Sequence, residues 1–188
     1  MRIEGGAAAS RIATSSQTVG PFFHFGLAGN PMLGRVAGDG AKGERIELRV
    51  QVLDGDYLPV PDALIEIYQA DADGEYGRPE FPGFGRLATD ENGTCVFDTI
   101  RPGAAADGRG GVQAPHVNVC LFARGLLRQV YTRIYFHGDD RLAADPILAV
   151  VPADRRQTPE ARPVDGAASA WQFVIQLQGE RETVFFDL

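Results

Sequence analysis

The chain has 188 residues, a length that makes one domain able to bury a sizeable core. Hydrophobic residues at 44% against 23% charged exclude a disordered chain. A net charge of −7 excludes the basic footprint of a nucleic-acid or anionic-membrane binder, so no such partner is expected.

Residues 1–15, opening MRIEGGAAAS, read as a flexible arm, and residues 16–188 as a single domain. Gly20-Pro21 reads as an ordinary turn: Gly has no side chain and Pro fixes the chain direction. Ile46, Leu48, Val50 and Val52 alternate with Glu47, Arg49 and Gln51, which predicts a half-buried strand. Asp54-Gly55-Asp56 turns the chain, and Ala63 to Ala70 forms a second apolar strand closed by Asp71-Ala72-Asp73-Gly74.

Glu75 to Arg86, rich in Gly and Pro, reads as a long excursion. Asp90-Glu91-Asn92-Gly93 is hairpin-type turn chemistry before a strand at Thr94 to Ile100, which Arg101-Pro102-Gly103 breaks. Strands follow at His116 to Arg124 and Gln129 to Phe136, a short helix or turn at Asp145 to Ala153, and a last strand at Trp171 to Leu177. No long 3.6-period segment competes. The prediction is an all-β chain, an antiparallel β-sandwich with long loops.

Chemistry is harder to find. The longest apolar run, Pro146 to Pro152, is too short to span a bilayer. Cys95 and Cys120, the only cysteines, read as buried thiols of a cytoplasmic protein and not as a disulfide framework. Without paired histidines nearby they do not make a zinc site. There is no G-x-S-x-G elbow, no G-x-G-x-x-G and no P-loop, and Asp71 with Asp73 is explained by the turn that holds them. His24, His116 and His137 are widely separated. His116 and Asn118 stand at i and i+2 of a strand and share a face, but a neutral amide is a poor ligand beside imidazole or phenolate. No complete catalytic set is present.

Five stretches, in order, carry a resemblance: Gln17 to Phe23, Ile67 to Tyr76, Ala114 to Gly125, Thr132 to Phe136 and Gly179 to Leu188. Together they resemble the intradiol (catechol-cleaving) dioxygenases, and within them the iron-free alpha chain of the protocatechuate-cleaving branch. The resemblance implies a β-sandwich and a ferric iron held, in active chains, by two tyrosines and two histidines. Of those positions Tyr76 and His116 are kept, whereas Ala105 stands for a tyrosine, Asn118 for a histidine and Gln113 for an active-site arginine.

The resemblance therefore implies that non-haem Fe(III) is bound by a beta partner chain and not by this one. Higher oligomers of αβ units, and protocatechuate and O2 meeting at the interface, are implied with it. Thr18, Gly20, Pro21 and Arg124 are implied as this chain's wall of the pocket, with Arg124 supplying positive charge or a fork of donors. Tyr76, Ala105, His116 and Asn118 become vestigial positions. The terminal VFFDL is expected to pack in the heterodimer, since Phe185 and Phe186 are a large apolar payload for a terminus. Two other readings are an iron-bearing homodimer and, from Leu58 to Ile67, a transthyretin-like binding module with no enzymatic role.

Overall fold

The computed structural model describes residues 14–167 and 169–187, so the expected arm lies almost wholly outside the described residues. The first element is helix α1 (Pro21–Leu27), followed by a 3-10 turn at Pro31–Gly34. The strands are β1 (Arg45–Leu53), β2 (Leu64–Gln69), β3 (Phe84–Ala88), β4 (Thr94–Ile100), the two-residue β5 (Ala105–Ala106) and β6 (Val112–Gln113), β7 (His116–Phe122) and β8 (Val130–Phe136). After α2 (Pro146–Ala149) come β9 (Glu160–Pro163) and β10 (Ala170–Gln176).

The alternation in β1 does what its period requires: Ile46, Leu48, Val50 and Val52 are buried while their neighbours reach the surface. β1 pairs antiparallel with β4, Leu48 opposite Phe97, and parallel with β10, Leu48 opposite Trp171. The second layer runs β3-β2-β7-β8, all antiparallel. β9 joins the layers, pairing parallel with β8 at Tyr135 and Phe136 and antiparallel with β10 at Trp171 and Gln172. The inward faces of both layers, Leu48, Phe97 and Phe173 from one and Ile67, Val119 and Ile134 from the other, form one core.

The sandwich is as the sequence predicts, with departures in pairing direction and in one loop. Two pairings are parallel, because periodicity reports which face a residue takes and not the direction of its neighbour. The excursion after β2 ends earlier than expected, since Phe84–Ala88 returns as an edge strand on β2. Cys95 is buried and Cys120 only half-buried; both thiols are free. No helix among the described residues is long and apolar enough to cross a membrane.

Four loops share one device. Asp54, Asp71, Asp90 and Asp107 each accept the backbone N–H of residues i+2 and i+4 with a single Oδ1. The Asp71 loop leads directly into Tyr76, and Gln69, fully buried, ties it across the sandwich. The Gln69 amide donates to the Ile100 carbonyl at 2.9 Å and its oxygen accepts from Thr99 at 2.7 Å. The loops leaving β2 and β4 are thereby clamped together. Gly74, at φ +84°, sits where a Cβ would stand 2.0 Å from the Ala104 carbonyl oxygen.

Candidate functional site

β7 presents His116, Asn118, Cys120 and Phe122 on the outer face of its sheet, and two clusters lie at its two ends. At the start, Ala114 donates its N–H to Asp145 Oδ2 at 2.8 Å. That buried carboxylate also caps α2 through the Ile147 and Leu148 N–H groups and accepts the Tyr135 hydroxyl. The Ala114 carbonyl in turn lies 2.8 Å from His116 Nδ1. A carbonyl only accepts, so Nδ1 carries the hydrogen and Nε2 keeps its lone pair.

Tyr76 Oη stands 3.1 Å from that Nε2 and donates to it. It accepts from Asn118 Nδ2 at 3.2 Å, and the same amide nitrogen donates to the Tyr68 carbonyl at 3.2 Å. Burial holds the Tyr76 phenol above its ordinary range. Burial, with the Arg133 guanidinium, lowers His116 to about 4. Both groups are therefore neutral at neutral pH, and the phenol, imidazole and amide satisfy one another.

Ala105, buried in β5, contributes only a methyl beside its pairing partner Gln113. Beside Gln113, where the resemblance implies an arginine, a guanidinium arrives from another strand. Arg133, opposite Asn118 on β8, donates through Nη1 to Gln113 Oε1 at 2.6 Å and to the Tyr135 hydroxyl at 3.3 Å. Arg133 lies in the Thr132 to Phe136 stretch, where nothing assigns it a role; the register between β7 and β8 places it here.

This donor set does not fit ferric iron. One phenol and one imidazole are committed to each other, the third position turns an amide N–H inward, the fourth is a methyl, and a guanidinium stands among them. Among the described residues no group of three or more His, Cys, Asp or Glu could hold a metal ion.

The implied wall residues gather at the far end of β7. Eight residues separate His116 from Arg124, which is about 25 Å along a strand. Thr18 Oγ1 accepts the Gly125 N–H at 2.8 Å, which brings the N-terminal segment against the end of β7. Gly20 is the N-cap of α1 and Pro21 its first residue, so the expected turn is a helix start, with the Gly20 carbonyl accepting from Phe23 N–H. Nothing lies within 4 Å of where a Gly20 Cβ would be.

Phe23 seats α1 on the sheet against Phe122, ring centroids 5.2 Å apart, and His24 Nδ1 meets Asp62 Oδ1 at 2.5 Å. Phe22 and Phe25 are left 85% and 75% exposed. Arg124 is also exposed, with no carboxylate partner among the described residues. The terminal segment docks on its own chain: Phe186 N–H donates to the Tyr131 carbonyl at 2.8 Å, and Phe185 packs on the core.

The family model described as Dioxygenase matches residues 19–179. The chain is 42% identical to the protocatechuate 3,4-dioxygenase alpha chain of Pseudomonas putida, over 93% of this chain and 96% of that one. It is 38% identical to the alpha chain of Burkholderia cepacia, over 93% and 97%. The Burkholderia cepacia beta chain is 34% identical over 75% of this chain and 67% of its own length. Among solved structures, the dioxygenase domain of a carbohydrate-binding fusion from Streptomyces sp. SirexAA-E superposes with a TM-score of 0.62 at 20% identity, covering 91% of this chain and all of that one. Catechol 1,2-dioxygenase from Pseudomonas arvilla C-1 gives 0.61 at 22% identity, over 76% and 54%. Both likenesses speak to the fold.

Proposed function

The chain belongs to the intradiol dioxygenase family, and on that premise we propose that it is the iron-free alpha chain of a protocatechuate 3,4-dioxygenase. The complex converts protocatechuate and O2 to 3-carboxy-cis,cis-muconate: the ring bond between the two hydroxyl-bearing carbons breaks and both oxygen atoms enter the product. The observation that carries the assignment of the iron to a beta partner is the closed hydrogen-bonded set of Tyr76, His116 and Asn118 beside Ala105. A chain so built cannot offer Fe(III) the anionic donors it needs, and its relatives are named as alpha and beta chains.

This chain's part is then the wall. Arg124, exposed and without a carboxylate partner among the described residues, supplies positive charge for a substrate that carries a carboxylate at neutral pH. Thr18 fixes the loop next to it, and the bare Gly20 leaves backbone open to close approach. Phe22 and Phe25 are apolar surface of the kind that an obligate partner covers. The complex is a cytoplasmic hetero-oligomer of αβ units. The transthyretin-like reading of Leu58 to Ile67 rests only on the shared sandwich and explains neither cluster.

The test is co-expression with an iron-bearing beta chain, then size exclusion and iron analysis of each chain. The pair co-elutes, with about one iron per αβ unit and none retained by this chain alone. Tightly held stoichiometric iron and ring opening by the isolated chain would make it an iron-bearing homo-oligomer instead.

A further inference from the structure

The outer face of the β3-β2-β7-β8 sheet carries one row of side chains in direct cross-strand register: Phe84, Tyr68, Asn118 and Arg133. Tyr76 lies over the middle of the row, its ring centroid 5.2 Å from that of Tyr68. These aromatic rings are not buried in a core: Phe84, Tyr68 and Tyr76 are 38%, 40% and 36% exposed. An aromatic shelf thus ends in a guanidinium.

That guanidinium is under-used. Arg133 donates through Nη1 alone, to two neutral oxygens, and its Nη2 and Nε have no acceptor among the described residues. The carboxylate in this network, Asp145, is buried and committed to four other donors, touching Arg133 only through the Tyr135 hydroxyl. The contrast lies one row away, where Arg86 is tied to Glu66 by bonds of 2.8 and 2.5 Å. A half-buried guanidinium with a free edge is a preformed half of a bidentate carboxylate pair. Rings flanking it select a flat, apolar body.

We propose that this vestigial pocket binds a small aromatic carboxylate without acting on it, the carboxylate on the free edge of Arg133 and the ring against Tyr68 and Tyr76. The Tyr76 phenol, held neutral by burial, adds no competing anion. The Asn118 row is six residues from Arg124, about 20 Å along a strand, so the site is separate from the wall that this chain lends its partner. It also does not depend on the iron assignment, since every group named belongs to this chain.

The experiment is calorimetric titration of the full chain, expressed without a partner, with benzoate, cyclohexanecarboxylate and benzyl alcohol. Benzoate binds one to one. Benzyl alcohol, lacking the charge, binds at least tenfold more weakly, and cyclohexanecarboxylate, lacking the flat ring, is weaker by several-fold. Arg133→Met weakens benzoate by roughly ten- to a hundredfold, the worth of a charge-assisted pair, and Tyr68→Ala by about threefold or more. Circular dichroism checks each fold; if Arg133→Met is unfolded, Arg133→Lys decides, with an expected loss of about fivefold as the fork is replaced by a point charge.

No benzoate binding, equal binding of benzyl alcohol, or wild-type affinity in the folded Arg133 variant overturns the proposal. The outcome is separable from that of the proposed function. A silent titration leaves the iron analysis of the co-expressed pair untouched, and iron found on this chain leaves the titration to be judged on its own.

Discussion

Around His116 a single hydrogen-bond accounting decides the chemistry. Its Nδ1–H is spent on Ala114, so Nε2 must find a donor, and the nearest is the Tyr76 hydroxyl. Because burial lowers His116 to about 4 against an unfolded value near 6.5, the unfolded chain binds the extra proton first as pH falls. Stability from this residue is complete above pH 6.5 and is lost progressively down to about pH 4, by up to roughly 3 kcal/mol. Denaturant titrations at several pH values check this: His116→Gln flattens the slope between pH 6.5 and 4, whereas an unchanged slope assigns the acid sensitivity elsewhere. At the other cluster, Arg124→Ala in the assembled enzyme raises KM for protocatechuate roughly tenfold while iron content stays at the wild-type level, since the loss is one charge-assisted contact. Unchanged steady-state kinetics removes Arg124 from the site.

Among the elements, the clamp between the β2 and β4 loops is the most exacting. Gln69→Leu keeps the volume but strands the Thr99 hydroxyl and the Ile100 carbonyl in a dry interior, at a cost of about 2–4 kcal/mol in thermal or denaturant unfolding. Gly74→Ala is worse than a helix-propensity argument suggests, because its Cβ would enter the Ala104 backbone at a positive φ. Deleting residues 184–188 removes the Val184 carbonyl that Thr132 donates to and the Phe186 bridge to Tyr131. Lower stability of the isolated chain is the expected result. A loss confined to partner binding would instead assign the tail to the interface alone.

For the whole molecule, the exposed Phe22 and Phe25 make the partner surface testable without touching the core. Phe22→Asp with Phe25→Asp leaves the isolated chain folded and weakens co-elution with the beta chain by at least tenfold, the scale of losing two buried aromatic anchors. Co-elution at wild-type level would place the interface elsewhere on the surface.

Legibility in the sequence is a matter of range. Thr94–Ile100 and the alternation of β1 are read residue by residue, because the period of two is a property of neighbours and needs no fold. α1 was hidden because Gly-Pro reads as a turn and Pro at a first helical position looks the same in a short segment. β9 was hidden because Glu160–Pro163 is four residues with no alternation, made a strand only by the two layers it joins. Ala105, Gln113 and Asn118, where the resemblance implies a tyrosine, an arginine and a histidine, were legible from the motifs alone, and with them the expectation that this chain lacks iron donors. That Tyr76 and His116 close on each other, and that Arg133 takes up the charge, was decided in three dimensions. Hydrogen bonds between residues 40 apart, and a register that sets residue 133 opposite 118, exist only once the sheet is paired.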